Sequence, residues 1–206
     1  MQFTIAIDGP SAAGKGTTSR ALARNFGFAH LDTGLLYRAT AARVAAGEDP
    51  ETAARNLCDA DFARSDLRSP TISQEASRVS AIPEVRAALL AYQRDFAIRP
   101  GGAVLDGRDI GTEVCPQADL KIFLTASPEA RARRRHAEIL ANGGSDTFQK
   151  TLDEMNIRDT RDSSRSAAPL RPARDAIILH TDNLTLEEVI FTCIEHAVRV
   201  LQGPGK

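Results

Sequence analysis

The sequence has no excess of charge of either sign. Its 26 lysines and arginines stand against 27 aspartates and glutamates, which gives a formal net charge of -1 at pH 7. A chain this close to neutral has no overall field that would draw it to nucleic acid or to an anionic membrane. Any site that binds an anion must therefore be local.

Cysteine and histidine are also scarce, and neither shows the spacing of a metal site. The three cysteines, Cys58, Cys115 and Cys193, are far apart, which favours small buried side chains in a reducing compartment over disulfides. The sequence begins with neither a basic leader nor a long apolar segment, so we expect a cytoplasmic protein without a membrane partner. With 42% hydrophobic residues, the 206-residue chain suffices for one good core with insertions.

Residues 9–17 have the composition of a phosphate-binding loop. They follow an apolar run at 3–7, which suits a buried strand, and precede a helical pattern over 18–26. In such a unit, glycines let several backbone N–H groups point into one concavity, and a lysine adds a mobile charge. The unit predicts binding of a nucleoside triphosphate. The residues predicted to bind it are Gly9, Pro10, Ser11, Ala12, Ala13, Gly14, Lys15, Gly16 and Thr17.

Position 16 departs from the general pattern of these loops, in which a Ser or Thr that binds Mg²⁺ follows the lysine. Here the lysine is followed by Gly16. Either Thr17 takes over that role, or phosphates and water hold the metal with an acidic group such as Asp106 near by. We favour the second alternative, in which no side chain binds the metal directly.

The rest of the chain alternates short apolar runs with helical patterns. Further strands are predicted at 28–31, 103–105, 120–124 and 176–179. We therefore expect an α/β fold with three layers, α/β/α, built on a parallel sheet of five strands. Residues 48–100 form an insertion that is mostly helical in pattern, except for 59–73, which we predict to be a loop.

Polar residues follow two of the predicted strands. The triplet Asp32-Thr33-Gly34 would cap a helix, and Arg38, one turn further on, would hold an anion beside it. The stretch from Asp106 to Asp109 follows the third strand. Because the carboxyl ends of parallel strands share one edge of the sheet, we expect both groups beside the phosphate loop. The alternatives are a simple helix cap and a solvated turn.

Arginines concentrate in residues 131–165. Arg131 and Arg135 lie one helical turn apart and suit a phosphate or a base. After a glycine turn, a second helix is predicted over 147–165. Its arginines form one stripe with aspartates close enough to pair with them: Arg158, Arg161 and Arg165, with Asp159 and Asp162. Such a hairpin predicts a lid that closes over phosphates, and the alternative is an exposed helix with surface ion pairs.

Together, the phosphate loop, the insert and the arginines favour phosphoryl transfer over a binding module. Transfer requires that spread negative charge be neutralised and that donor and acceptor be held in line. So many cations also favour an acceptor that is itself a phosphate over an alcohol.

Several segments together resemble bacterial cytidylate kinase, in order and across nearly the whole chain. They are GPSAAGKGT at 9–17, DTG at 32–34 with YR at 37–38, DGRDIGT at 106–112, KIFLTAS at 121–127, RDTRDSSR at 158–165 and AAPL at 167–170. The resemblance implies transfer of the γ-phosphate of ATP to CMP or dCMP, with Mg²⁺. It implies a single kinase domain made of a core (1–34, 99–130 and 166–206), a monophosphate-binding insert (35–98) and a lid (131–165).

The resemblance also implies roles for individual residues. Those matching the catalytic set are Lys15, Arg108, Arg158 and Arg165. The residues that match those binding the acceptor phosphate in the family are Arg38, Arg108 and Arg165, and Thr33 is also expected to contact the substrate. Those matching the cytosine-binding set are Ser77, Arg86 and Asp109. Arg158 and Asp162 match residues near the ribose and the closing lid, and Arg131 matches the arginine that lies against the ATP base.

Two features depart from the family pattern. Residues 57–73 are short and lack the alternation of a small sheet that longer members have in the insert. Position 12 holds Ala where many relatives carry Gly, so we expect Ala12 to keep a negative φ.

Two other functions remain open at this point. One is another small phosphate-loop kinase that acts on UMP or AMP. The other is a nucleotide-dependent switch or nucleic-acid-binding protein that uses the arginines of 131–165. The near-neutral charge and the lack of aromatic residues among those arginines count against the second. We expect a monomer with small-molecule substrates and no nucleic-acid partner, and a frayed tail at 203–206.

Overall fold

A parallel sheet of five strands lies at the centre of the structure, a computed structural model that describes residues 2–203. The strand order is β2-β3-β1-β4-β5. The strands are Thr4–Asp8 (β1), Ala29–Asp32 (β2), Ala103–Gly107 (β3), Leu120–Thr125 (β4) and Ile177–His180 (β5). The predicted parallel sheet is confirmed, and most of the predicted frayed tail, residues 204–206, lies outside the described residues.

Burial explains which strands are central. Every residue of β1 and β3 is buried, whereas β2 and β5, at the two edges, are only partly buried. Residues with continuous apolar character, such as Ile5 and Ile7, suit a strand that is covered on both faces. The apolar runs therefore explain why β1 and β3 are central strands.

Helices cover both faces of the sheet, as the three-layer prediction requires. On one face, α1 (Lys15–Phe26) and α9 (Leu186–Gln202) pack in a cluster with β1, β3 and β4. On the other face, α6 (Pro83–Ala97) and a single-turn π-helix (Ile110–Val114) pack against β1 and β3. Helix α1 begins at residue 15, three residues before the predicted start, because Gly14 is already its N-cap.

The insert consists of helices, and one part of its prediction is wrong. It contains α2 (Thr33–Ala45), α3 (Pro50–Arg55), α4 (Asp59–Phe62) and α5 (Pro70–Val79), followed by α6. Residues 59–73 were predicted to be a loop, but α4 and the start of α5 lie there. Local hydrogen bonds cap the N-termini of both helices. Cys58 N donates to Asp61 Oδ2 at 2.9 Å, and Ile72 N donates to Ser69 Oγ at 3.3 Å.

The hairpin predicted as a lid consists of α7 (Pro128–Ala141) and α8 (Phe148–Ser164). Helix α8 is one residue shorter at each end than predicted. Thr147 is its N-cap, with Lys150 N donating to Thr147 Oγ1 at 3.2 Å, and Arg165 is its C-cap. No helix within residues 2–203 is both long and apolar enough to cross a membrane.

The three cysteines are free, as predicted, but they are not all buried. Cys115 and Cys193 are buried, and burial raises the pKa of both thiols, to about 11 and about 12. Cys58 is exposed, so the expectation of burial is wrong for this residue.

Candidate active site

The phosphate loop connects β1 to α1, and Gly9 allows it to leave the sheet. The φ of Gly9 is +145°, and a Cβ at this position would overlap the backbone of Leu124 in β4. Gly14, with φ +92°, caps α1 without a side-chain hydrogen bond. The first-turn N–H groups of α1 thus face the loop without a capping side chain, which is the arrangement that binds anions.

Ala12 contradicts the expectation of a negative φ. Its φ is +58°, in the left-handed region that favours glycine. The surrounding loop imposes this conformation, so position 12 carries backbone strain that a glycine would not.

Lys15 is buried at the start of α1, with 7% of its surface exposed. Its Nζ donates to Pro10 O at 2.7 Å. Burial lowers the pKa of Lys15 well below its ordinary value, and the nearby guanidinium groups of Arg108 and Arg158 lower it further. A polyanion placed among these cations would stabilise all of their charges.

The ends of three strands meet beside this loop. In the parallel register, Asp8 lies opposite Gly107, and Asp32 lies opposite Asp106. This confirms the prediction that the triplet at 32–34 and the stretch at 106–109 share one edge with the phosphate loop. Asp32 rather than Thr33 caps α2, because Leu35 N donates to Asp32 Oδ1 at 3.1 Å.

All nine residues predicted to bind the acceptor line one narrow cavity of about 50 Å³. They come from the insert, from the stretch after β3 and from α8. They are Thr33, Arg38, Ser77, Arg86, Arg108, Asp109, Arg158, Asp162 and Arg165. Sequence reasoning missed other lining residues, among them Ser73, Ser80 and the Tyr37 ring. The assigned roles stay predictions.

Two carboxylates organise the guanidinium groups of this cavity. Asp109 pairs with Arg86 and lies 3.5 Å from Arg165 Nη2. Asp162 accepts from Arg108 Nε at 3.0 Å and lies 3.8 Å from Arg158 Nε. Burial opposes the ionisation of Asp162, but the two guanidinium groups outweigh it and hold the pKa of Asp162 below its ordinary value.

Two guanidinium nitrogens in the cavity wall are left without partners. Arg38 Nε and Arg158 Nε are both buried, and neither donates a hydrogen bond to an acceptor among the described residues. Burial also lowers the pKa of Arg158 to about 10. A buried N–H without an acceptor costs about 1–3 kcal/mol. An anionic oxygen in the cavity would satisfy both groups, which fits an acceptor that carries a phosphate.

The Tyr37 ring contacts the guanidinium group of the Arg86–Asp109 pair. The Arg86 guanidinium carbon lies 5.8 Å from the centre of the Tyr37 ring, within the range of a cation–π contact. Burial raises the pKa of Tyr37. The sequence showed Tyr37 only as part of the YR dipeptide, because nothing local indicates that its ring faces Arg86.

A larger cavity of about 580 Å³ lies between α5 and the two lid helices. Ser73, Ser77 and Arg158 line both cavities, and Ser11 of the phosphate loop lines the larger one. The two cavities are therefore neighbours that share these three residues in their walls.

The predicted pairing of the lid arginines is confirmed for Arg158 with Asp162 and is wrong for Asp159. Asp159 was expected to pair within the α8 stripe, but it holds Arg131 of α7, whose Nη2 lies 2.6 Å from Asp159 Oδ2. Arg131 Nη1 also donates to Ser11 O at 3.3 Å. Arg161 donates to Ser77 Oγ at 3.2 Å, and Arg135 pairs with Glu138 of its own helix. Partners from other elements therefore decided the contacts of Asp159 and Arg161.

Two side chains are predicted neighbours of a metal ion, Thr17 and Asp106. Thr17 is exposed, and its Oγ1 accepts from Arg20 at 3.4 Å. Asp106 is buried, and its Oδ2 lies 2.7 Å from His30 Nε2. Within residues 2–203, no three acidic, His or Cys side chains gather in a metal-binding group. One carboxylate and one hydroxyl fit a cation that takes most of its ligands from phosphates and water.

Comparison with solved structures shows the fold. A gluconokinase from Sinorhizobium meliloti 1021 matches with a TM-score of 0.54 at 16% identity, over 97% of this chain and 94% of that chain. A shikimate kinase from Bacteroides thetaiotaomicron matches with a TM-score of 0.51 at 14% identity, over 96% and 99%. These matches show the α/β fold, and the phosphate loop between β1 and α1 defines a protein of the phosphate-loop class.

The sequence comparisons define the family. The family model described as Cytidylate kinase matches residues 5–57 and 50–199. A cytidylate kinase from Cereibacter sphaeroides is 58% identical over 206 residues, which is 100% of both chains. One from Methylocella silvestris is 56% identical over 190 residues, 89% of this chain and 88% of that one. The chain belongs to the cytidylate kinase family.

Proposed function

We propose that this chain transfers the γ-phosphate of ATP to CMP or dCMP, giving ADP and CDP or dCDP. The observation that carries the proposal is the acceptor cavity. It combines buried guanidinium nitrogens without partners with a carboxylate, Asp109, held between Arg86 and Arg165. The first group suits a phosphate, and the second suits a base with an amino group.

Asp109 selects cytosine through its acceptor oxygens. Cytosine presents an N4 amino donor together with acceptors at N3 and O2, which Arg86 and Ser77 can serve as donors. Uracil would turn a carbonyl oxygen towards the carboxylate. A buried acceptor without a partner costs about 1–3 kcal/mol, enough for roughly tenfold or greater discrimination.

The cations near the phosphate loop carry the transfer step. An oxygen of the acceptor phosphate attacks the γ-phosphorus, and the bond from that phosphorus to the β-phosphate oxygen breaks, so that ADP leaves. Lys15, Arg108 and Arg158 lie close enough for their charges to influence one another. They neutralise the charge that spreads over the transferred group. Arg38 and Arg165 hold the acceptor phosphate.

Mg²⁺ accompanies ATP in this proposal. It would be held by phosphate oxygens and water, with Asp106 and Thr17 near by, and it would neutralise phosphate charge. Arg131, placed against Ser11 of the phosphate loop, is assigned to the side of the cleft that receives the ATP base.

The division into core, insert and lid belongs to the same proposal. Insert and lid meet over the acceptor cavity where Ser77 Oγ donates to Asp162 Oδ1 at 3.4 Å. Closure of the two over bound nucleotides would exclude water from the transferred phosphate. We place the reaction in the cytoplasm and expect a monomer.

A panel of acceptors tests the function. With ATP and Mg²⁺, we expect turnover of CMP and dCMP, at least roughly tenfold less efficient use of UMP, and little use of AMP or GMP. A coupled assay of ADP release measures this, and product analysis must show CDP or dCDP. Preferential turnover of UMP or AMP, or nucleotide hydrolysis without an acceptor, contradicts the proposal.

Lys15→Met tests the role of the Lys15 charge in phosphoryl transfer. The substitution keeps the buried stem and removes the charge, so kcat should fall roughly a hundredfold or more while the melting temperature hardly changes. Lys150→Met, at an exposed lysine of α8, removes an equal charge and should leave kcat unchanged.

A further inference from the structure

Asp8 ends the central strand β1 and stands immediately before Gly9 of the phosphate loop. It is 4% exposed. Its Oδ1 accepts from the backbone N of Ile110 at 2.8 Å, and its Oδ2 accepts from the backbone N of Gly111 at 2.7 Å. A buried carboxylate with both oxygens bonded to neighbouring amides holds that piece of backbone in one place.

These two amides lie in the first turn of the π-helix, where N–H groups have no partner within the helix. The first helical bond runs from Glu113 N to Asp109 O, at 2.9 Å. Asp109 is the N-cap residue, and the N of Ile110 is bonded to its backbone carbonyl carbon. The bonds from Asp8 therefore fix the backbone from which the Asp109 side chain starts.

The contact between Asp8 and this turn is close because residue 111 is a glycine. A Cβ on Gly111 would lie 3.4 Å from Asp8 Oδ2 and 3.2 Å from Lys121 Cδ. Lys121 cannot easily yield, since its Nζ donates to Pro116 O at 2.6 Å and pairs with Asp175. The turn is thus confined from two sides.

We propose that Asp8 is a positioning residue for base selection, which ties the turn that carries Asp109 to the strand that carries the phosphate loop. Asp8 does not line the acceptor cavity. It acts through Asp109, by setting where that carboxylate stands relative to the transferred phosphate. The inference rests on the proposed function and adds a residue, outside the cavity, on which the choice of acceptor depends.

The test is Asp8→Asn, assayed at about pH 8. Asparagine keeps the shape but places an NH₂ donor against one of the two amide donors. The ratio of kcat/KM for CMP to that for UMP should narrow roughly tenfold or more, mainly through a higher KM for CMP. The KM for ATP should stay within about twofold of the wild-type value.

Asp119→Asn is the matched control. Asp119 Oδ2 accepts from Thr4 N at 2.7 Å, so this carboxylate also binds a backbone amide of β1, at the opposite end of the strand. The control variant should lose stability and keep the wild-type ratio of CMP to UMP use.

The outcomes separate the possibilities. A wild-type ratio in Asp8→Asn overturns the inference, and so does a loss that falls on the KM for ATP, because Asp8 then shapes only the phosphate loop. If Asp8→Asn does not fold, Gly111→Ala places a methyl group against Asp8 Oδ2 and should narrow the ratio of kcat/KM for CMP to that for UMP about threefold. An unchanged ratio in Gly111→Ala also overturns the inference. A wild-type protein without preference for CMP over UMP removes the proposed function itself, before any variant is compared.

Discussion

Residues of the phosphate loop differ in how easily they adopt the φ angle that the loop imposes on them. Gly9 and Gly14 adopt positive φ angles that glycine tolerates. Ala12 adopts φ +58° with a Cβ, and such a conformation costs an alanine about 1–2 kcal/mol. Ala13, its neighbour, is buried and has no positive φ. The two alanines should therefore respond in opposite ways to replacement by glycine.

We predict that Ala12→Gly stabilises the protein and Ala13→Gly destabilises it. Glycine relieves the strain at position 12, and after the entropy of the unfolded chain is subtracted the gain is up to about 1 kcal/mol. At position 13, glycine removes a buried methyl group and adds freedom to the unfolded chain, a loss of about 1 kcal/mol. Denaturant unfolding measures both. An Ala12→Gly variant no more stable than wild type would show that the loop relaxes around alanine.

At the scale of elements, buried polar contacts hold helix α8 of the lid hairpin to its neighbours. Helix α8 reaches α7 through Asp159, which pairs with the buried Arg131 at 2.6 Å. It reaches the insert through Ser77 and the acceptor cavity through Asp162. Because Arg131 also donates to the phosphate loop, Asp159 links the position of α8 to the floor of the cleft.

We predict that Asp159→Asn loosens α8. Removing one partner of a mostly buried ion pair leaves the Arg131 charge without compensation, so the helix should open more often. Hydrogen exchange of the α8 amides should accelerate roughly tenfold or more, equal to about 1.4 kcal/mol. Asp153→Asn is the control on the same helix, since Asp153 accepts only from exposed Gln149. Equal exchange rates in the two variants would exclude a role for the Asp159–Arg131 pair in docking the lid.

At the scale of the whole molecule, a near-neutral chain gathers a cluster of arginines in one cleft. The parallel register brings the ends of β1, β2 and β3 to one edge, and the insert and lid add guanidinium groups above it. Carboxylates beside those groups, Asp32 and Asp162, have pKa values below the ordinary range. Burial opposes their ionisation, and the neighbouring arginines outweigh it. Their contribution to stability is present above the ordinary pKa and is lost as the pH falls.

The contribution of Asp8 to stability depends on pH in the opposite direction. Burial raises its pKa to about 6, although the amides of Gly111 and Ile110 lower it and Lys15 lowers it slightly. Asp109 and Cys115 are the other titratable groups whose charges couple to it. A carboxyl whose pKa is raised on folding stabilises the protein fully below its unfolded pKa, about 3.8, and this contribution is lost as the pH rises through about 6.

We therefore predict a pH-dependent difference between wild type and Asp8→Asn. The free energy of unfolding of the wild type, minus that of the variant, should fall by up to about 3 kcal/mol between pH 4 and pH 7. Urea unfolding at several pH values measures it, and the subtraction removes the titration that both proteins share. A difference that stays flat over this range would mean that Asp8 is not protonated in the folded protein near pH 6.

The sequence alone determined the parallel sheet, the phosphate loop and the presence of most of the helices. These features depend on local patterns: apolar runs for strands, cap residues for helices, and glycines where the backbone turns. It also predicted which residues should bind the acceptor, and all nine line one cavity. The short helix α4 was missed because its few apolar residues show no period.

Only the tertiary structure decided the partners of the charged groups. Asp8 binds amides more than a hundred residues away, at 110 and 111, and Asp159 pairs with Arg131 rather than with the arginines of its own helix. The positive φ of Ala12 is likewise imposed by the loop as a whole. Local spacing shows which side chains are able to meet, but the packing of distant elements determines which of them lose their water and must find a partner.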